Sequence, residues 1–157
     1  MAAIRMVWVG KTQKGFVSDG VNHYTKRITP LCPLSLEEVR PADHSGRSAS
    51  QSRALEAEGL LKRFNPGDLV VLLDEKGKQP DTRGFSHLLE SWLNNAGKSV
   101  VFVVGGAFGV NEEVKARADY VLALSSLTLP HQLVRVVALE QIYRALSLLS
   151  GHPYHHD

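Results

Sequence analysis

Val100-Val101-Phe102-Val103-Val104-Gly105-Gly106-Ala107-Phe108-Gly109 runs from an unbroken apolar stretch directly into a glycine cluster. A short continuous apolar run suits a strand covered on both faces, as in a parallel sheet, and the glycines permit close backbone approach at its end. Leu69-Val70-Val71-Leu72-Leu73 repeats the pattern, opened by the turn Asn65-Pro66-Gly67 and followed by Asp74-Glu75-Lys76-Gly77. Two such strands predict an α/β domain, in which ligands bind outside the carboxyl ends of the strands. A third loop, Leu124-Ser125-Ser126-Leu127-Thr128-Leu129-Pro130-His131, and the polar aromatic tail Gly151-His152-Pro153-Tyr154-His155-His156-Asp157 complete the segments where function is expected.

Outward from these runs the periodicity alternates between strand and helix. Residues 4–9 read as a strand ending at Gly10, after which Val17, Val21, Tyr24 and Ile28 recur as one face of an amphipathic helix closed by Pro30 and Pro33. Residues 34–39 alternate like a half-buried strand, residues 41–50 form a polar loop, and a helix over 50–64 is predicted to bury Ala54, Ala57, Leu61 and Phe64. Phe85, Leu88, Leu89, Trp92 and Leu93 form a complete helical stripe. Asn111, Glu112 and Glu113 open a short helix, and residues 120–124 make a fifth strand. A last helix over 131–150 carries Leu133, Val137, Ile142, Leu146 and Leu149 among its apolar positions. The expected fold is a mostly parallel α/β sheet flanked by helices, in one domain over 1–157.

The chain of 157 residues, 43% hydrophobic and 22% charged, can bury a single core. Its apolar runs are far shorter than the roughly 18 residues of a membrane span, and Arg5 and Lys11 interrupt any signal peptide. A lone cysteine, Cys32, excludes an internal disulfide and favours a reducing cytoplasm. A net charge of +2 permits an RNA partner without demanding one. Arg40, Arg47, Arg53, Lys62 and Arg63 cluster around the polar loop and second helix, either as a basic surface or as a solvated face offset by Glu56 and Glu58.

The glycine cluster is neither the dinucleotide fingerprint, because its first two glycines are adjacent, nor a phosphate loop. Taken alone it serves a plain strand-to-helix turn equally well. The 124–131 loop alternates hydroxyl and leucine side chains; leucines lining a slot with backbone groups between them suit an adenine ring, whereas a leucine-rich core corner gives the same pattern. His152, His155 and His156 lack a cysteine or carboxylate constellation to complete a metal site, and no metal is expected.

Gly105-Gly106-x-x-Gly109, Ser126-Leu127-Thr128-Leu129-Pro130-His131-x-Leu133-Val134-Arg135-Val136, Glu140-Gln141-x-Tyr143-Arg144-Ala145 and His152-Pro153-Tyr154-His155 together closely resemble the RlmH family of SPOUT-class RNA methyltransferases, over nearly the whole chain. The resemblance implies methylation of N3 of a pseudouridine in 23S ribosomal RNA, at position 1915 in the family. It also implies S-adenosyl-L-methionine as cofactor, a homodimer with an active site drawn from both chains, and a C-terminal deep trefoil knot over about residues 70–157, a rare exception to the rule against knots. Carried onto matching positions, Leu73, Gly105, Leu124, Ser125, Ser126, Leu127, Thr128 and Leu129 become the cofactor pocket. Two positions depart from the family: Ala107-Phe108, where proline or serine and a small or acidic residue are common, and His156, where an arginine or lysine usually follows the Tyr-His pair.

The implied chemistry needs acceptor nitrogen, methyl carbon and sulfur held in line, and the imide proton removed. His155 or Tyr154 would position or deprotonate the base, while Arg144 and His131 would stabilise the carbonyl oxygens or orient the tail. The partners expected are large-subunit rRNA, within an assembled ribosome, and a second copy of the chain, with no membrane. A non-catalytic ribosome-binding protein that merely senses the cofactor would share the fold, and methyl transfer to ribosomal RNA separates the two. A flavodoxin-like nucleotide binder is disfavoured by the missing phosphate loop.

Overall fold

The computed structural model describes residues 2–156. Five strands, β1 (Ala3–Val9), β2 (Leu34–Val39), β3 (Leu69–Lys78), β4 (Ser99–Val104) and β5 (Tyr120–Leu122), alternate with α1 (Phe16–Ile28), α2 (Ala49–Lys62), α3 (Thr82–Asn95), α4 (Glu112–Arg117) and α5 (His131–Leu149). The sheet order is β2-β1-β4-β3-β5 and every pairing is parallel. Side chains alternate across each strand, so the sheet feeds two cores. Ile4, Met6, Trp8, Val100 and Phe102 pack under α1, α3 and α5, whereas Val7, Val9, Val70, Leu72, Val101 and Val103 pack under α2 and α4. Among the described residues no helix is long and apolar enough to cross a membrane.

The second helix is rotated from its sequence expectation. Ala54 is exposed and Leu61 and Phe64 only half-buried, while Ser52, Glu56, Ala57 and Leu60 face inward. The cause is polar: the Glu56 carboxylate accepts from the Ala42 amide at 3.0 Å, and the Ser52 hydroxyl meets the His44 ring at 2.9 Å, so α2 uses its inner face to hold the polar loop. Along α5, Leu133, Val137 and Leu149 are likewise half-exposed, and Gln132 and Arg135 take buried positions instead. β5 ends at Leu122, two residues short of expectation, and β3 runs past Leu73 through an irregularity in which Leu73 and Lys78 both pair with Leu122. Only glycine fits at 77, because a Cβ there would lie 2.6 Å from the Val121 carbonyl oxygen.

The two ends of the sheet are held differently. At the amino end, Arg5 bridges Glu37 at 2.7 Å and Asp68 at 2.9 Å, and Arg63 joins Glu37 at 3.2 Å. This network draws Arg63 away from the rest of the basic cluster. At the carboxyl end, the fully buried Arg135 donates to the carbonyls of Val9 at 2.8 Å and Gly10 at 3.0 Å and to the Thr12 hydroxyl at 3.0 Å. Its guanidinium lies 4.8 Å from the Trp8 ring centroid. Gln132 adds bonds to Lys11 and Gln13, so α5 grips the β1–α1 loop from 9 to 13. Arg135→Met should leave three acceptors unpaired and lower stability by about 2 kcal/mol or more. Urea denaturation of the two proteins with a shared slope would measure it, and an unchanged midpoint would refute the clamp.

Candidate functional site

The carboxyl ends of β3 and β4 and the loop after β5 enclose a cavity of about 210 Å³. The bulge in β3 turns Asp74 and Glu75 into its wall, the glycine loop supplies Gly105, Gly106 and Gly109, and the leucine loop and α5 close it with Leu124, Leu129, His131 and Val134. Of the residues expected at a cofactor pocket, Leu73, Gly105, Leu124, Ser125, Leu127, Thr128 and Leu129 line the cavity; Ser126 does not. Asp74, Glu75, Val104 and Val134 are lining residues that sequence reasoning did not assign. The Asp-Glu pair directly after the β3 run was the available signal.

Local bonds shape the pocket. The Thr128 hydroxyl donates to Glu75, joining the leucine loop to the β3 end, and the Ser125 hydroxyl accepts from the Leu127 amide at 2.9 Å. Leu127 is 76% exposed, an apolar side chain left at the mouth. Gly106 lies against α2: a Cβ there would sit 2.7 Å from Glu56 Oε1, so a glycine lets the loop approach the buried carboxylate. His131 has its pKa lowered, first by burial and then by the Arg135 charge, with Glu56 opposing. Its imidazole is therefore held neutral, as a proton acceptor, into more acidic solution than an ordinary histidine.

The other three candidate catalytic residues form a separate cluster. Glu140 Oε1 accepts from Arg144 Nε at 3.0 Å and from the Tyr154 hydroxyl at 3.2 Å, and Arg144 also meets His155 Nδ1 at 3.1 Å. The Tyr154 ring packs on Tyr143 at 4.6 Å, with the Arg144 guanidinium 4.8 Å from its centroid. Glu140, which the sequence reading quoted without a role, is thus the acceptor that orders the tail; its spacing of four from Arg144 on a helix was the legible clue. Burial, hydrogen bonding with Tyr24 and the Glu140 charge push the Tyr154 phenol up to about 12, so it stays protonated and donates. A guanidinium has no acceptor, so His155 must accept through Nδ1, and its neutral form carries the proton on Nε2. Asp157, the last residue of the expected functional tail, lies outside the described residues.

His131 and Arg144 are thirteen positions apart on one helix, roughly 20 Å at the helical rise. The pocket and the tail cluster are therefore separate within one chain. Among the described residues no group of three or more His, Cys, Asp or Glu side chains is arranged for a metal ion.

Residues 2–155 match the protein family described as "Predicted SPOUT methyltransferase". The chain is 39% identical over 153 residues to the ribosomal RNA large subunit methyltransferase H of Trichlorobacter lovleyi, with 98% of this chain and 99% of that protein covered. It is 42% identical over 154 residues to the protein of the same name from Geobacter metallireducens, with 98% and 99% covered. A solved structure, a probable methyltransferase from Bordetella pertussis Tohama I, shares the fold at a TM-score of 0.55 and 16% identity, over 92% of this chain and 95% of that one. For the pocket itself, the lowered His131 value is directly measurable: the ring proton resonance should titrate in NMR with a midpoint below the ordinary histidine value, and a midpoint above it would contradict the buried, cation-flanked setting.

Proposed function

The chain belongs to the RlmH family of SPOUT methyltransferases, and we propose that it methylates N3 of a pseudouridine in the RNA of the large ribosomal subunit, with S-adenosylmethionine as methyl donor. Near-full-length kinship with proteins named as large-subunit ribosomal RNA methyltransferases supports the substrate class. The pocket supports the donor: apolar leucine walls with backbone between them suit adenine, and the carboxylates of Asp74 and Glu75 suit a cationic ligand. On this reading the C-terminal part of the chain, from about residue 70, forms the deep trefoil knot. When bound, S-adenosylmethionine supplies a methyl group already activated on a sulfonium.

The observation that carries the reading is the separation of the pocket from the tail cluster. A two-fold axis that sets the tail cluster of one chain against the pocket of its partner makes two composite sites per dimer. The half-exposed Leu133 and Val137 supply apolar surface on α5 for that contact. Within the composite site, Tyr154 is a positioning donor rather than a base, because its phenol stays protonated. His155, with its proton on Nε2, and Arg144 orient the base and stabilise negative charge on its carbonyl oxygens. His131, held neutral, takes the imide proton.

Mass spectrometry of ribosomal RNA from a strain lacking the enzyme tests the activity. Incubation with the protein and S-adenosylmethionine should add one methyl group to a pseudouridine, and His131→Ala or His155→Ala should slow the transfer about 100- to 10,000-fold. Ribosomal RNA left unmethylated by the wild-type protein would favour the non-catalytic alternative. The composite site has its own test, in which a Thr128→Trp chain, blocked at an exposed pocket position, is refolded with a chain ending at Gly151. Random pairing makes half the dimers mixed, each with one complete site, so activity should return to roughly a quarter of wild type. Mixtures that exchange subunits yet stay inactive would show that each tail serves its own chain.

A further inference from the structure

The basic loop and the unusual Phe108 belong neither to the pocket nor to the tail cluster, and the structure brings them together. Phe108, at the tip of the glycine loop, is 48% exposed. Its ring meets the His44 ring edge-on, with centroids 5.1 Å apart and planes at 77°. His44 is itself anchored at 2.9 Å to the buried Ser52, so the polar loop braces the Phe108 ring through a T-shaped contact rather than a parallel stack. Arg53 donates to the Phe108 carbonyl at 3.4 Å, and Arg47 donates to the Asp43 carbonyl. The Arg53 bond is to a neutral oxygen and leaves the guanidinium charge in place, whereas Arg47 also lies near the Asp43 carboxylate, whose pKa its charge helps to lower. Phe108, Arg53 and Lys115 line a cavity of about 420 Å³ that shares Asp74 and Gly109 with the methyl-donor pocket. Of its two acidic members, Glu112 is paired with Lys115 at 3.4 Å and Asp74 accepts from the Lys76 amide at 2.9 Å.

We propose that Phe108, braced by His44 and flanked by Arg53, is a stacking platform for a single-stranded rRNA base next to the one that is methylated. An exposed aromatic ring with a cation beside it matches the two components of single-stranded RNA, a base face and a phosphodiester charge. Its position, one loop turn from the donor pocket, fits a neighbour of the target nucleotide. This inference rests on the ribosomal RNA reading above and adds a specificity-determining surface to it.

Steady-state methylation of unmodified ribosomes separates the two. Phe108→Ala should raise KM for ribosomes about 5- to 150-fold, the range for loss of one stacked base, with kcat within about two-fold and S-adenosylmethionine binding by calorimetry unchanged. Phe108→Trp should restore KM, whereas Phe108→Leu, apolar but without a π face, should not. Arg53→Gln should reduce the slope of log affinity against log salt by about 0.7, the single-strand value for one phosphate contact. A wild-type KM in Phe108→Ala, rescue by leucine as good as by tryptophan, or an unchanged salt slope in Arg53→Gln would each overturn the platform while the methyltransferase reading stands. Absence of methyl transfer by the wild-type protein would overturn both.

Discussion

A single buried cation decides where the last helix sits, and that helix both closes the pocket with His131 and Val134 and carries Glu140 and Arg144 of the tail cluster. Arg135 is fully buried, and loss of hydration pushes its pKa down to about 10. Burying a guanidinium without a carboxylate partner is costly, so its surroundings must supply acceptors at fixed places. They come from the carbonyls of Val9 and Gly10 and the hydroxyl of Thr12, just where β1 ends, with the Trp8 ring beneath. Gly10 adopts φ +88, a conformation that side chains resist, as the chain turns out of the strand here. The same charge acts four residues upstream on His131, so the interaction that seats the helix also tunes the pocket.

Charge is thus divided by position along the strands. The amino end carries a conventional network of Arg5, Arg63, Glu37 and Asp68, where opposite charges offset one another; Glu37 is held below its ordinary range chiefly by the Arg5 hydrogen bond. The carboxyl end is built from cations on backbone oxygens and from carboxylates that face open space or backbone amides. Asp74 accepts from the Lys76 amide at 2.9 Å and Glu56 from Ala42. Arg135 and Glu56 thus hold the last helix and the polar loop through neutral partners rather than through ion pairs.

What was legible in the sequence follows from how local each cause is. The apolar runs at 69–73 and 100–104 announce buried parallel strands because every residue in them is covered, whichever face it points to. The pocket loops were legible for the same reason, since strand ends fix loop positions. The face of α2 was not, because its burial is set by hydrogen bonds to Ala42 and His44 in another segment rather than by its own apolar period. Ser126 falls outside the cavity although Ser125 and Leu127 on either side line it, a detail of loop conformation that the residue types do not encode. The distance between His131 and the Arg144 cluster could be counted along the helix, yet its meaning required knowing that Tyr154 folds back onto Tyr143.

The Arg135 clamp joins residue 135 to residues 9–12, a closure of more than 120 positions. Closing so long a loop comes late in folding, after the entropy of the intervening chain has been lost. During synthesis from the amino terminus, Ile4, Met6 and Trp8 emerge well before α5, the helix that shares their core and carries the clamp. The nascent sheet therefore keeps that apolar face incompletely covered until almost the whole chain has left the ribosome, which makes the last fifth of the chain its own protection against aggregation.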